Sequence, residues 1–220
     1  MKYILLCALW VLWCFLHSFF TSAKTTAWFK NFMGDKFALY RIFYNLFSLI
    51  TVMPLLYWQM KIPGPVVIKL SPVLLLVKYI VLVLSAVIIA GAFFTLNVFE
   101  FTGIRQIRKR ARSPEPAYRT GRYRTQTAEK QPEISRHGFY GIVRHPMYLG
   151  SFLFFTALMM HAPLAQFFGY GILAVYMIIG TIREDRRLAN ELGEGYRNYQ
   201  KEVPMFLPKI LPMTRWKIKN

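Results

Sequence analysis

The sequence predicts an all-α integral membrane protein of about five transmembrane helices, the last two forming a C-terminal helical hairpin. Three observations carry this. The 220 residues are 55% hydrophobic with a positive mean hydropathy. Five apolar runs reach or approach the ~20 residues that a helix needs to cross a bilayer. The formal charge is +18, and Lys and Arg collect between and after those runs, as charges that set membrane orientation do. Soluble nucleic-acid binders share the basicity but lack apolar runs of this length, so the expected partner is the lipid bilayer and no nucleic acid.

The whole chain, residues 1–220, reads as one domain. The first run, about 3–20, has one lysine before it and Thr21-Ser22-Ala23 after it, which resembles a cleavable leader. Trp10, Trp13 and His17 within the run argue for a retained helix. Cys7 and Cys14, seven apart on one helical face, read as free buried thiols. The second run, about 39–60, carries Arg41, Asn45 and Ser48 on one stripe at i, i+4 and i+7. Polar side chains at membrane depth face the protein interior or a wet cavity. Asn45 is therefore read either as a packing contact or as lining an acceptor site, His17 as a polar contact inside the bundle against a catalytic or site-lining role, and Arg41 as a candidate to snorkel.

Pro63-Gly64-Pro65 turns the chain into the third run, about 72–99, after which a basic loop covers 103–145. From Arg105 to Arg144 there are eleven Lys or Arg against three Glu, and from Arg183 onward nine more Lys or Arg. Both segments are expected on the cytoplasmic side, with the N-terminus opposite and residues 21–38 on the cytoplasmic side. Residues 113–134 are rich in Pro, Thr, Gln and Arg and read as poorly ordered. The fourth and fifth runs, about 147–161 and 164–182, turn at Ala162-Pro163.

Before the fourth run stands Gly138-Phe139-Tyr140-Gly141-Ile142-Val143-Arg144-His145-Pro146-Met147-Tyr148-Leu149-Gly150. Proline pushes the preceding residue out of helical geometry and suits a first helical position, so a helix is expected to begin at Pro146. Arg144 and His145 then sit at its mouth beside unpaired N–H groups, an arrangement that attracts anions. A hairpin returns its ends to one side, which sets Glu184 and Asp185 opposite that mouth. In the tail, 183–220, Leu188, Leu192, Tyr196 and Tyr199 form an apolar helical stripe, weakened at Gly193 and Gly195 and ended by Pro204. No Cys/His cluster has metal-ligand spacing and no glycine-rich phosphate loop occurs, so no metal centre is expected.

These residues resemble the membrane methyltransferases that include isoprenylcysteine carboxyl methyltransferase and the phospholipid N-methyltransferases. The resemblance lies in Gly138-x-Tyr140-x-x-Val143-Arg144-His145-Pro146-Met147-Tyr148-x-Gly150, then Glu184-Asp185, Leu188, Gly193, Tyr196, Tyr199 and Val203-Pro204. The N-terminal half is most similar to the NnrU-like branch, which contains methanethiol S-methyltransferase, through Leu16-His17-Ser18, Arg41-x-x-Tyr44-Asn45-Leu46-x-Ser48 and Phe99-Glu100-Phe101-Thr102-Gly103-Ile104-Arg105-Gln106. Residues 107–135 and the last ten fall outside it. Asp185 stands where that superfamily usually has a second Glu, and Arg187 where the thiol-methylating branch often has Asp.

The resemblance implies S-adenosylmethionine as cofactor, bound on the cytoplasmic side of a bacterial-type inner membrane. Tyr140, Arg144, His145, Pro146 and Tyr148 would contact it from one side, Glu184 and Asp185 from the other. The cofactor's amine, ribose diol, carboxylate and adenine call for an acidic acceptor, a cationic or helix-terminal partner and aromatic faces. The acceptor would be a small thiol such as methanethiol, with Arg105, His145 and Arg41 as candidates to activate it. A lipidated cysteine carboxylate, a phospholipid amine and a non-enzymatic respiratory or denitrification role are the alternatives.

Overall fold

The computed structural model describes residues 1–95 and 136–206. Seven α-helices occur among them: α1 (Lys2–Thr21), α2 (Ala23–Met33), α3 (Tyr40–Lys61), α4 (Pro72–Thr95), α5 (Pro146–Met159), α6 (Leu164–Leu192) and α7 (Glu194–Glu202). Short 3-10 turns cover Gly34–Leu39 and Gly138–Gly141. The described residues contain no strand, only an isolated bridge between Val66 and Pro163. Helices α1, α4 and α6, and α3 from Ile42, are long and apolar enough to cross a membrane, and α5 is a shorter apolar helix. The protein is thus an all-α membrane protein.

Helices α1, α3 and α6 share a core of Leu6, Trp10, Cys14, Leu55, Ile62, Ala165 and Leu173. At its centre the Trp10 indole N–H donates to Gln59 Oε1 at 2.9 Å, with both side chains fully buried. In an apolar interior an unpaired donor or acceptor is costly, so each of these atoms supplies the other's partner. They fit because residue 169 is glycine: a Cβ there would lie 2.0 Å from Gln59 Oε1 and 2.7 Å from Trp10 Nε1. Helices α4, α5 and α6 pack in sequence beside this group. Cys7 and Cys14 are free thiols, Cys14 buried.

The bundle has two distinguishable ends. At one, Tyr3 Oη donates to the Pro63 carbonyl, Val67 N to the Ala162 carbonyl and Lys78 Nζ to the Met160 carbonyl. These bonds tie the start of α1, the 62–71 turn and the α5–α6 hairpin together. The other end gathers the close of α1, the starts of α3 and α5, and the polar extension of α6.

Several boundaries differ from the sequence reading. Residues 21–38, to which the sequence reading assigned a side and no element, hold α2; the Ser22 hydroxyl accepts from Thr25 N and caps it. The helix that carries the last expected span, about 164–182, continues beyond it, α6 running unbroken to Leu192. Leaving an apolar environment does not end a helix when polar side chains pair along it, and Arg187 pairs with Glu184 and Glu191 at i−3 and i+4. The tail stripe is divided: Gly193 adopts φ 60° and ψ −138°, a conformation open essentially to glycine, and α7 folds back from it. Helix α5 begins at Pro146, as the proline geometry requires, with His145 at φ −124°. Residues 96–99 of the expected third span and the whole 107–135 stretch lie outside the described residues.

Candidate functional site

The fold-back of α7 builds a buried polar cluster. Arg144 grips Asp185 at two points, Nε to Oδ1 at 3.0 Å and Nη2 to Oδ2 at 3.2 Å. Oδ1 also accepts from His145 Nε2 at 2.9 Å and from Tyr196 Oη at 2.8 Å, and Oδ2 from Gln200 Nε2 at 2.8 Å. Arg144 Nη1 donates to the carbonyls of Gln200 and Val203, and its backbone N–H to that of Pro204. The Tyr199 hydroxyl donates to the Tyr140 carbonyl at 2.5 Å. The Arg144 and Asp185 side chains are each 8% exposed. A buried ion pair tolerates such desolvation when further hydrogen bonds satisfy its remaining atoms, and here four protein groups surround one carboxylate.

The cluster sets the protonation of its members. Because Oδ1 is an acceptor, Nε2 of His145 carries the proton and Nδ1 keeps the lone pair. Burial holds the imidazole below its ordinary range, against the opposing pull of Asp185. Burial likewise pushes the Tyr140 and Tyr199 phenols up to about 12, and that of Tyr196 upward too, so all three remain protonated at neutral pH.

Beside the cluster lies a cavity of about 610 Å³, within the ~300–1,000 Å³ usual for small-molecule and cofactor sites. Helix α1 supplies His17 and Thr21 to its wall, α2 Thr26, the first 3-10 turn Phe37, and α3 Tyr40, Tyr44 and Asn45. Helix α5 adds Tyr148, and α6 adds Tyr176, Met177, Gly180, Glu184 and Arg187. A side pocket of about 240 Å³ shares Thr21, Tyr148, Tyr176 and Glu184 and reaches Arg183. Cluster and cavity meet at α5, where the His145 and Tyr148 rings stand edge to face at 5.9 Å.

The candidate residues thus divide into two groups. His17, Asn45, Tyr148 and Glu184 come together on the cavity wall. Tyr140, Arg144, His145 and Asp185 are joined in the adjoining cluster and are not on that wall, and Pro146 is buried as the first residue of α5. The Arg41 side chain and Arg105 lie outside the described residues. Sequence reasoning missed Tyr40, Tyr44 and Tyr176 on the wall and Gln200 in the cluster. Tyr176, Gly180 and Glu184 repeat at i, i+4 and i+8 along α6, a stripe readable in the sequence; Gln200 gave no such signal.

The model of the NnrU protein family matches residues 5–214. The chain belongs to the NnrU family. Within reach of this NnrU chain are several proteins named methanethiol S-methyltransferase. The one from Crocosphaera subtropica is 28% identical over 197 residues, covering 88% of this chain and 70% of that protein. The one from Pseudomonas deceptionensis is 35% identical over 127 residues, 56% of this chain and 42% of that protein. The one from Mycobacterium tuberculosis is 27% identical over 195 residues, covering 87% and 72%. The chain therefore spans between about two fifths and three quarters of the length of these relatives. No solved structure matches it significantly.

Proposed function

We propose that this NnrU-family chain is a membrane-embedded methyltransferase that uses S-adenosylmethionine to S-methylate a small thiol, methanethiol being the model acceptor. The observation that carries this reading is the cavity that joins Glu184, Tyr148, Tyr176, His17 and Asn45 where apolar helices end. Its groups suit the proposed cofactor: a carboxylate for an amine or ribose diol, a guanidinium at Arg187 for a carboxylate, and phenol rings for a purine face. When bound, the cofactor supplies an electrophilic methyl group on a sulfonium.

The chain's first part is alignment, on which in-line displacement depends. Tyr148 and Tyr176 shape the walls, Glu184 and Arg187 orient polar groups, and the apolar flanks keep water from an acceptor. We assign Arg144, His145 and Asp185 to positioning: every bond they make holds α5, α6 and α7 in register beneath the cavity. The basic segments attached at this end favour a cytoplasmic orientation for it. The relatives' names support the acceptor class. Purified protein in detergent, given S-adenosylmethionine and methanethiol, should release dimethyl sulfide into the headspace. Protein that binds the cofactor and releases none would overturn the acceptor assignment.

A further inference from the structure

A thiol attacks as its anion, so methylating one near neutral pH requires a group to take its proton. The chain has four histidines. His145 is committed to Asp185. His161 lies at the hairpin end, its Nδ1 near the Ile68 carbonyl, and His137 is exposed. His17 alone of the four lines the cavity.

Its surroundings orient it as a base is oriented. Nδ1 lies 2.8 Å from Ser48 Oγ, the ring stacks on Trp13 at 5.2 Å and 13°, and it stands edge-on to Tyr176 at 6.2 Å. In the tautomer protonated at Nδ1, Ser48 Oγ accepts that N–H and the lone pair falls on Nε2, which no described group hydrogen-bonds. The titratable and charged groups around it are Tyr176, Glu184 and Arg187 on α6, Tyr148 on α5, Tyr40 and Tyr44 on α3, Arg183 in the side pocket, and Cys14 one turn earlier on α1. Glu184 is already paired with Arg187.

We propose that His17 Nε2 is the general base that removes the acceptor's thiol proton, with Ser48 a positioning residue that holds the ring through Nδ1. This rests on the methyltransferase reading above. The S–H bond breaks and its proton passes to Nε2. The acceptor sulfur then forms a bond to the methyl carbon, and the electron pair of the broken sulfonium C–S bond stays on the departing sulfide. One cation is lost at the sulfonium and one gained at the imidazole, which returns its proton to water after product leaves.

His17→Asn retains a donor for Ser48 and removes the base. At neutral pH it should lower kcat/KM for methanethiol about a hundredfold. The deficit should shrink as pH rises toward thiol ionisation, and vanish for an aromatic thiol already ionised at neutral pH. Without cofactor, the ring-nitrogen resonances of His17, assigned by their loss in His17→Asn, should show the lone pair on Nε2 at neutral pH. Calorimetric affinity for S-adenosylmethionine should fall by far less than kcat/KM does. Ser48→Ala should give a smaller loss with the same pH shape, and serves if His17→Asn fails to fold. The proposal is overturned by a variant deficit that is equal at every pH and for the acidic thiol, by a parallel fall in cofactor affinity, or by ring resonances that put a proton on Nε2 in the neutral wild type. Those resonances are read without cofactor, so wild-type protein that binds no cofactor defeats the methyltransferase reading while they still decide His17.

Discussion

Arg144 and Asp185, 41 residues apart in the chain, meet in a two-point guanidinium–carboxylate contact whose side chains are each 8% exposed. The pair joins the turn before α5 to α6, and Gln200 and Val203 extend it to α7 and the residues beyond. Removing one member leaves the other charge buried without its partner, which typically costs about 3–5 kcal/mol. Asp185→Ala should therefore lower the thermal midpoint in detergent by a margin far outside that of exposed substitutions. A melting curve matching the wild type would contradict the structural role given to this contact.

His145 gives the cluster a pH dependence of defined sign. Its folded-state pKa is depressed below the ordinary ~6.5 of histidine. The unfolded chain therefore binds a proton more readily than the native one, and stability rises with pH across the interval between the two values. The contribution is fully present above about pH 6.5 and is lost as pH falls through the folded-state pKa. Melting temperatures measured from pH 7.5 down to 5 should fall more steeply for the wild type than for His145→Gln; parallel slopes would refute this.

Gly169 tests the packing of the α1–α3–α6 core. A methyl group there would overlap Gln59 Oε1 and crowd Trp10 Nε1, and overpacking typically costs about 1–3 kcal/mol. Gly169→Ala should destabilise by that order in thermal unfolding, and the combined Gly169→Ala, Gln59→Leu chain should be less than additive because the two sites share one contact.

Glu184 is the acidic group of the cavity. A hydrogen bond to a charged group is worth about 1.5–3 kcal/mol, so Glu184→Gln should weaken S-adenosylmethionine binding by roughly ten- to a hundredfold in calorimetry. Its side chain is partly exposed and, among the described residues, pairs with Arg187, so the melting temperature should hardly move. A large stability loss with unchanged affinity would transfer Glu184 from the site to the scaffold.

Much of this arrangement was legible because a few residues dictate local geometry. Pro146 announced the start of α5, and the return of the hairpin foretold that Asp185 would meet Arg144 and His145. What the chain did not disclose was the division of labour between neighbours on α6. Glu184 and Asp185 differ by one residue and so by about a quarter turn of helix, which sends Glu184 to the cavity wall and Asp185 into the cluster. The side to which that quarter turn points depends on how α6 rolls against α1 and α5, a property of packing and not of spacing. Helix α2 was missed because its polar Ala23–Met33 stretch lacks a clear apolar period, although Ser22 offered a cap. Gln200 joined Asp185 only because Gly193 turns α7 back, a fold-back whose direction no periodicity encodes.

The central claim is that the cavity between α1, α3, α5 and α6 holds the methyl donor. Asn45 lines it from α3 and takes no part in the Arg144–Asp185 cluster, so Asn45→Trp fills the cavity and leaves that scaffold intact. Calorimetric titration of S-adenosylmethionine into wild type and Asn45→Trp, each checked by melting temperature, is the most direct test. Saturable binding by the wild type and none by an equally stable Asn45→Trp is the predicted result; equal binding by both would contradict the account.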